Sequence, residues 1–94
     1  MRLSAIELKA IRATLAAADP LGRIYLYGSR VDDTRRGGDI DVFLEATRAI
    51  DLKTALTLQH RLSSVCDTKV DLLIKTPDQE EMPIHQIARH GIQL

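Results

Sequence analysis

Three aspartates stand where a folding chain gains least from them. Asp39 and Asp41 flank Ile40 at the head of the run Asp39-Ile40-Asp41-Val42-Phe43-Leu44-Glu45, and Asp71 interrupts Val70-Asp71-Leu72-Leu73-Ile74. Aspartate is depleted from strands and is almost never buried without a partner. Side chains alternate along a strand, so Asp39 and Asp41 project side by side, away from the face that holds Ile40, Val42 and Leu44. Two carboxylates this close repel, and one is driven toward protonation unless a positive charge lies between them. A hard divalent cation such as Mg²⁺ takes carboxylate oxygens and removes the conflict. If the strand with Asp71 pairs beside the first, a third carboxylate joins. Three suit a two-metal phosphoryl-transfer site, whose ions sit about 3.5–4 Å apart and clamp the attacking and leaving oxygens. Each acid alone has a plainer reading: Asp39 as a strand-start cap, Asp41 and Asp71 as solvent-facing strand residues.

Upstream, Gly28-Ser29 closes the run Ile24-Tyr25-Leu26-Tyr27. Glycine lets a backbone approach a ligand closely and adopt positive φ. A serine hydroxyl and neighbouring N–H groups hold phosphate oxygens where a turn starts a helix. Arg30, Arg35 and Arg36 offer positive charge, although the Arg35-Arg36 pair reads equally as a solvated loop face. Asp32 and Asp33 are turn formers. His60, His85 and His90 show no metal-ligand spacing. Cys66 is most simply a small core residue. Tyr25 and Tyr27 share a strand face as packing residues, with Tyr27 near enough to the Gly-Ser turn to line a site.

The elements that must position these residues follow in order. Ser4 and Glu7 form an S-x-x-E capping box ahead of a helix in which Ile6, Leu8, Ile11 and Leu15 recur. Asp19-Pro20-Leu21-Gly22 stops it. A strand runs from Arg23 to Gly28, a polar loop from Ser29 to Gly38, and a second strand from Asp39 to Glu45. A second helix covers residues 51–65, with Leu52, Ala55, Leu56, Leu62 and Val65 assigned to its buried face. A third strand spans 68–75, and Pro83 opens a short helix that Gly91 ends. In the last stretch Ile84 and Ile87 are expected to pack on the sheet, and Ile92 and Leu94 to be loose or to contact a second protein. Strands alternating with helices give an α/β or α+β architecture, and residues 1–94 form a single domain.

Composition removes other classes. The 13 basic and 13 acidic residues cancel, which argues against general nucleic-acid binding through a basic surface. No apolar run approaches membrane-spanning length, and the N-terminus lacks a signal peptide's apolar core. A single cysteine cannot form an internal disulfide and points to a reducing compartment. A cytoplasmic protein is expected.

The pattern Gly28-Ser29-Arg30, eight residues, Asp39-x-Asp41, then an isolated strand aspartate at Asp71, resembles the DNA polymerase β-like nucleotidyltransferase superfamily. In particular it resembles the minimal nucleotidyltransferases, small prokaryotic proteins often encoded beside a helical HEPN protein. Gly38 stands before Asp39, where relatives often carry serine. The resemblance implies a nucleotidyltransferase core, a small mixed β-sheet with helices packed on it. It implies that Gly28, Ser29 and Arg30 bind the nucleotide, that Asp39, Asp41 and Asp71 are catalytic and hold Mg²⁺ (two ions), and that Asp71 helps deprotonate the acceptor. The implied reaction moves a nucleoside monophosphate, AMP from ATP, to a hydroxyl of a HEPN toxin, making this chain the antitoxin. A nucleotide-binding antitoxin that only docks, and an aminoglycoside-type nucleotidyltransferase subunit, are the alternatives. Aromatic residues are 3% of the chain, so base-stacking platforms are scarce. The acceptor protein, or a second chain in a homo- or hetero-oligomer, is expected to complete the site.

Overall fold

The computed structural model describes residues 3–31 and 39–94. Helix α1 runs Ala5–Ala18. Its cap is the expected box: the Glu7 N–H donates to Ser4 Oγ at 3.0 Å and the Ser4 N–H to Glu7 Oε1 at 2.8 Å. Strand β1 (Arg23–Tyr27) leads into a 3₁₀ turn, Gly28–Val31. There follow β2 (Ile40–Glu45), α2 (Leu52–Cys66), β3 (Val70–Lys75), α3 (Pro83–Arg89) and β4 (Ile92–Gln93). The sheet order is β3-β2-β1-β4. β1 is antiparallel to both β2 and β4, whereas β2 and β3 are parallel. A parallel pair needs a crossover, and α2 is that crossover. The fold is the expected α+β arrangement with a mixed sheet.

Strand alternation divides the residues between two faces. Ile40, Val42 and Leu44 of β2 join Ile11, Leu15, Leu26, Leu58, Leu62 and Val70 in the main core beneath α1 and α2. On the opposite face Phe43 packs with Tyr25 and Ala88, flanked by Tyr27 and Leu73. Its ring stacks on Tyr25 and on the buried His85, with centroids 5.8 Å apart in each pair. Arg89 lies over the same ring and pairs with Glu45 and Glu81. These contacts fasten α3 across one half of this face, away from the start of β2.

Three expectations are corrected. In α2 the residues packed in the main core are Leu58, Leu62 and Cys66, with Leu58 and Leu62 buried; Ala55 is half-buried, and Leu52, Leu56 and Val65 are exposed. Ile84 and Ile87 do not pack on the sheet but face solvent, because α3 turns His85 and Ala88 inward. Ile92 and Leu94 are not loose: Ile92 pairs with Leu26, the Leu94 N–H donates to the Ile24 carbonyl at 2.8 Å, and the Leu94 side chain packs on the main core. Ile6, on the apolar repeat of α1, is also exposed. Gly91 ends α3 for a reason other than positive φ. A side chain there would run into the Leu26 carbonyl, so glycine allows the close pass that starts β4.

Two polar details tie the elements together. Asp19 is 2% exposed; its carboxylate accepts from the Thr47 N–H at 2.6 Å and the Thr47 hydroxyl at 2.7 Å, joining the end of α1 to the chain after β2. Burial alone would push its pKa up, but the Thr47 and Leu21 hydrogen bonds and the Arg48 charge hold it below the ordinary value. Along the outer edge of β3, the Val70 N–H donates to Ser63 Oγ at 2.9 Å and the Leu72 N–H to Gln59 Oε1 at 3.2 Å. Among the described residues, no helix is long and apolar enough to cross a membrane.

Candidate active site

The sheet register assembles the acids. Tyr27 lies opposite Asp41, and Asp41 opposite Asp71. Directly opposed residues share a face, so Tyr27, Asp41 and Asp71 form one row across β1, β2 and β3. Asp39 precedes β2, and the Ile40 N–H donates to the Lys69 carbonyl at 3.1 Å, which sets Asp39 beside Lys69. Lys69 Nζ stands 3.8 Å from Asp39 Oδ2 and 3.7 Å from Asp71 Oδ1. All three acids lie on the Phe43 face, at the end that α3 leaves open. Burial raises the Asp41 pKa first, the Asp71 and Asp39 charges raise it further, and Lys69 opposes them. Burial and then the charges of Asp41 and Asp71 likewise raise the Tyr27 hydroxyl. After burial, the larger cause, both shifts report the neighbouring carboxylates, which Lys69 only partly offsets at Asp41.

Gly28 has φ of +77°, a conformation that costs other L-residues free energy. A Cβ built there would overlap Asp41 Oδ2. The glycine therefore makes room for the Asp41 carboxylate at the end of β1, beyond the conformational freedom expected from the sequence. The backbones of Ser29 and Arg30 lie in the 3₁₀ turn that follows. Asp32, Asp33, Arg35 and Arg36 lie outside the described residues.

Three carboxylates with no thiol or imidazole form a hard oxygen donor set, which suits Mg²⁺. Among the described residues, no three His, Cys, Asp or Glu side chains are already grouped as a metal would require. The acids share a row without converging on one point, and an ammonium stands between two of them. Sequence reasoning missed Lys69, and it left His85 unassigned as a metal ligand, which the structure bears out. The signal for Lys69 was present, since it is two residues before Asp71 and thus on the same strand face. His85 is no ligand: its Nδ1 accepts from the Met82 N–H at 2.9 Å and its ring packs on Phe43.

Comparison with known proteins adds to this geometry. The family model described as polymerase beta, nucleotidyltransferase matches residues 9–94. The chain belongs to this nucleotidyltransferase family. Among solved structures, a toxin–antitoxin with AMP-PNP is 27% identical with a TM-score of 0.74, the match covering 90% of this chain and 69% of the other. A MntA-HpeT toxin–antitoxin carrying two Asp-to-Glu substitutions is also 27% identical, with a TM-score of 0.74 and coverage of 93% and 70%. A tri-AMPylated HEPN toxin from Shewanella oneidensis in complex with its MNT antitoxin is 28% identical, with a TM-score of 0.69 and coverage of 93% and 66%. No match was found among curated proteins. The minimal nucleotidyltransferases of the polymerase β-like superfamily, expected from the sequence, are thus the group this chain resembles in three dimensions.

Proposed function

We propose that this nucleotidyltransferase transfers AMP from ATP to a hydroxyl of a HEPN-type helical partner in the cytoplasm, and acts as the antitoxin of a toxin–antitoxin pair. The row Tyr27–Asp41–Asp71, with Asp39 beside it and Gly28 opened for the Asp41 carboxylate, carries this reading. The similar structures that hold AMP-PNP or an AMPylated HEPN toxin support the donor and the partner. Gly28, Ser29 and Arg30 hold the triphosphate; Asp39, Asp41 and Asp71 hold Mg²⁺, two ions in this reading. When bound, Mg²⁺ neutralises charge on the transferring phosphoryl group. The Asp71 side chain is 43% exposed, open to an incoming acceptor, and in this reading it takes the hydroxyl proton. The acceptor oxygen then bonds to the α-phosphorus in line with the leaving group. The bond from that phosphorus to the bridging oxygen breaks, and pyrophosphate leaves with the electron pair. Positioning by the strand ends supplies most of the rate.

A second reading rests on the exposed Met82, Ile84 and Ile87: an apolar docking surface through which the chain blocks its partner without chemistry. Incubating the purified pair with ATP and Mg²⁺ and measuring intact masses decides between them. Gain of one or more AMP units by the partner, absent with Asp41→Asn, is the expected result. Complex formation without any mass change would replace the enzyme with the docking protein.

A further inference from the structure

We infer that Lys69 is a tethered counter-cation that occupies the acid row and that a divalent ion must displace from Asp39 and Asp71. This rests on the reading of those acids as metal ligands. Among the described residues, Lys69 is the one cation in ion-pair contact with any of the three carboxylates, and it touches two of them, at 3.8 and 3.7 Å. Its placement is built into the sheet. Alternation puts it on the face of Asp71, and the Ile40–Lys69 backbone hydrogen bond sets it beside Asp39. Both contacts exceed the 2.7–2.9 Å of a charge-assisted hydrogen bond, so the ammonium sits between the acids rather than locked to either. Its side chain is 65% exposed, and a lysine stem is flexible. It can leave with little loss of packing.

The ammonium lowers the repulsion among the carboxylates while the metal is absent. It also competes for the same oxygens, so it weakens metal binding and keeps the row from closing on a stray ion. A purely structural pair would instead fasten the start of β2 to β3 and leave metal affinity untouched. A triphosphate ligand would assist nucleotide binding and have no effect on the metal alone.

The test is Mn²⁺ binding measured by electron paramagnetic resonance, without nucleotide, on wild type, Lys69→Met and Lys69→Arg. Circular dichroism confirms that each variant is folded. Lys69→Met should bind Mn²⁺ about two- to thirtyfold more tightly, the range for losing competition from two exposed ion pairs. Lys69→Arg keeps the charge and should bind as wild type does. Unchanged or weaker Mn²⁺ binding in Lys69→Met, or equal tightening in Lys69→Arg, overturns the inference while leaving the metal site standing. No Mn²⁺ binding by any of the three proteins, even with a non-hydrolysable ATP analogue, removes the metal site and this inference with it.

Discussion

Gly28→Ala separates two costs that the structure places on one atom. The first is conformational: at φ of +77° an alanine costs about 1–2 kcal/mol relative to a relaxed backbone. The second is steric, because the new methyl would overlap the Asp41 carboxylate. The backbone of Asp41 cannot yield, since its neighbours Ile40 and Val42 are fully buried on the other face, so the carboxylate itself must turn aside. Forcing an extra methyl into a packed site costs about 1–3 kcal/mol. Together they predict a loss of about 2–5 kcal/mol, and at roughly 4–8 °C per kcal/mol the melting temperature falls by at least about 8 °C. In an Asp41→Ala background the carboxylate is gone, and only the backbone cost of about 1–2 kcal/mol should remain. Urea unfolding of the four proteins, followed by far-ultraviolet circular dichroism, closes this double-mutant cycle. Equal losses from Gly28→Ala with and without the Asp41 carboxylate would refute the contact, and with it the argument that the glycine is there for the acid.

Asp41→Asn should raise the melting temperature at pH 7 in the absence of metal. A carboxyl whose folded pKa lies above 3.8 binds its proton more tightly when folded, so it costs stability at neutral pH and the cost fades as pH falls through the folded value toward 3.8; the gain from asparagine must therefore vanish near pH 3. Asp19 has the opposite sign: its contribution is present above 3.8 and is lost as pH falls through its lower folded value. Asp19→Ala, which leaves the Thr47 donors unpaired, should cost about 1–3 kcal/mol in urea unfolding at pH 7. Mg²⁺ with ATP should raise the melting temperature of wild type by mass action and leave Asp39→Asn/Asp41→Asn unmoved; an equal rise in both would count against these ligands.

The acid row was legible because its cause is local. Asp39 and Asp41 share a face by strand alternation alone, and Asp71 needed only one further step, the pairing of its strand with β2. What escaped the sequence depended on choices made elsewhere in the fold. Helix α2 carries apolar residues on two stripes, and only the contact with α1 and the sheet selects Leu58 and Leu62 over Leu52 and Leu56. A two-residue strand such as β4 has no periodicity to detect; pairing with β1 defines it. His85 looked like an unassigned polar residue because its partner, Phe43, is distant in sequence. Lys69 was overlooked although the expected third strand included it, because its second partner, Asp39, is thirty residues away and only the pairing of β2 with β3 brings the two together.

The side chains along β3 have a consequence for assembly. An exposed sheet edge normally invites another chain to add a strand. Here Ser63 and Gln59 already accept the Val70 and Leu72 N–H groups, so an incoming strand would have to break bonds inside the monomer before making its own. The other edge, β4, is two residues long and offers little template. Both margins of the sheet thus resist extension, which protects the chain from edge-to-edge polymerisation. A macromolecular partner is left to approach through the faces and helices, and the acids already lie on a face that is partly open.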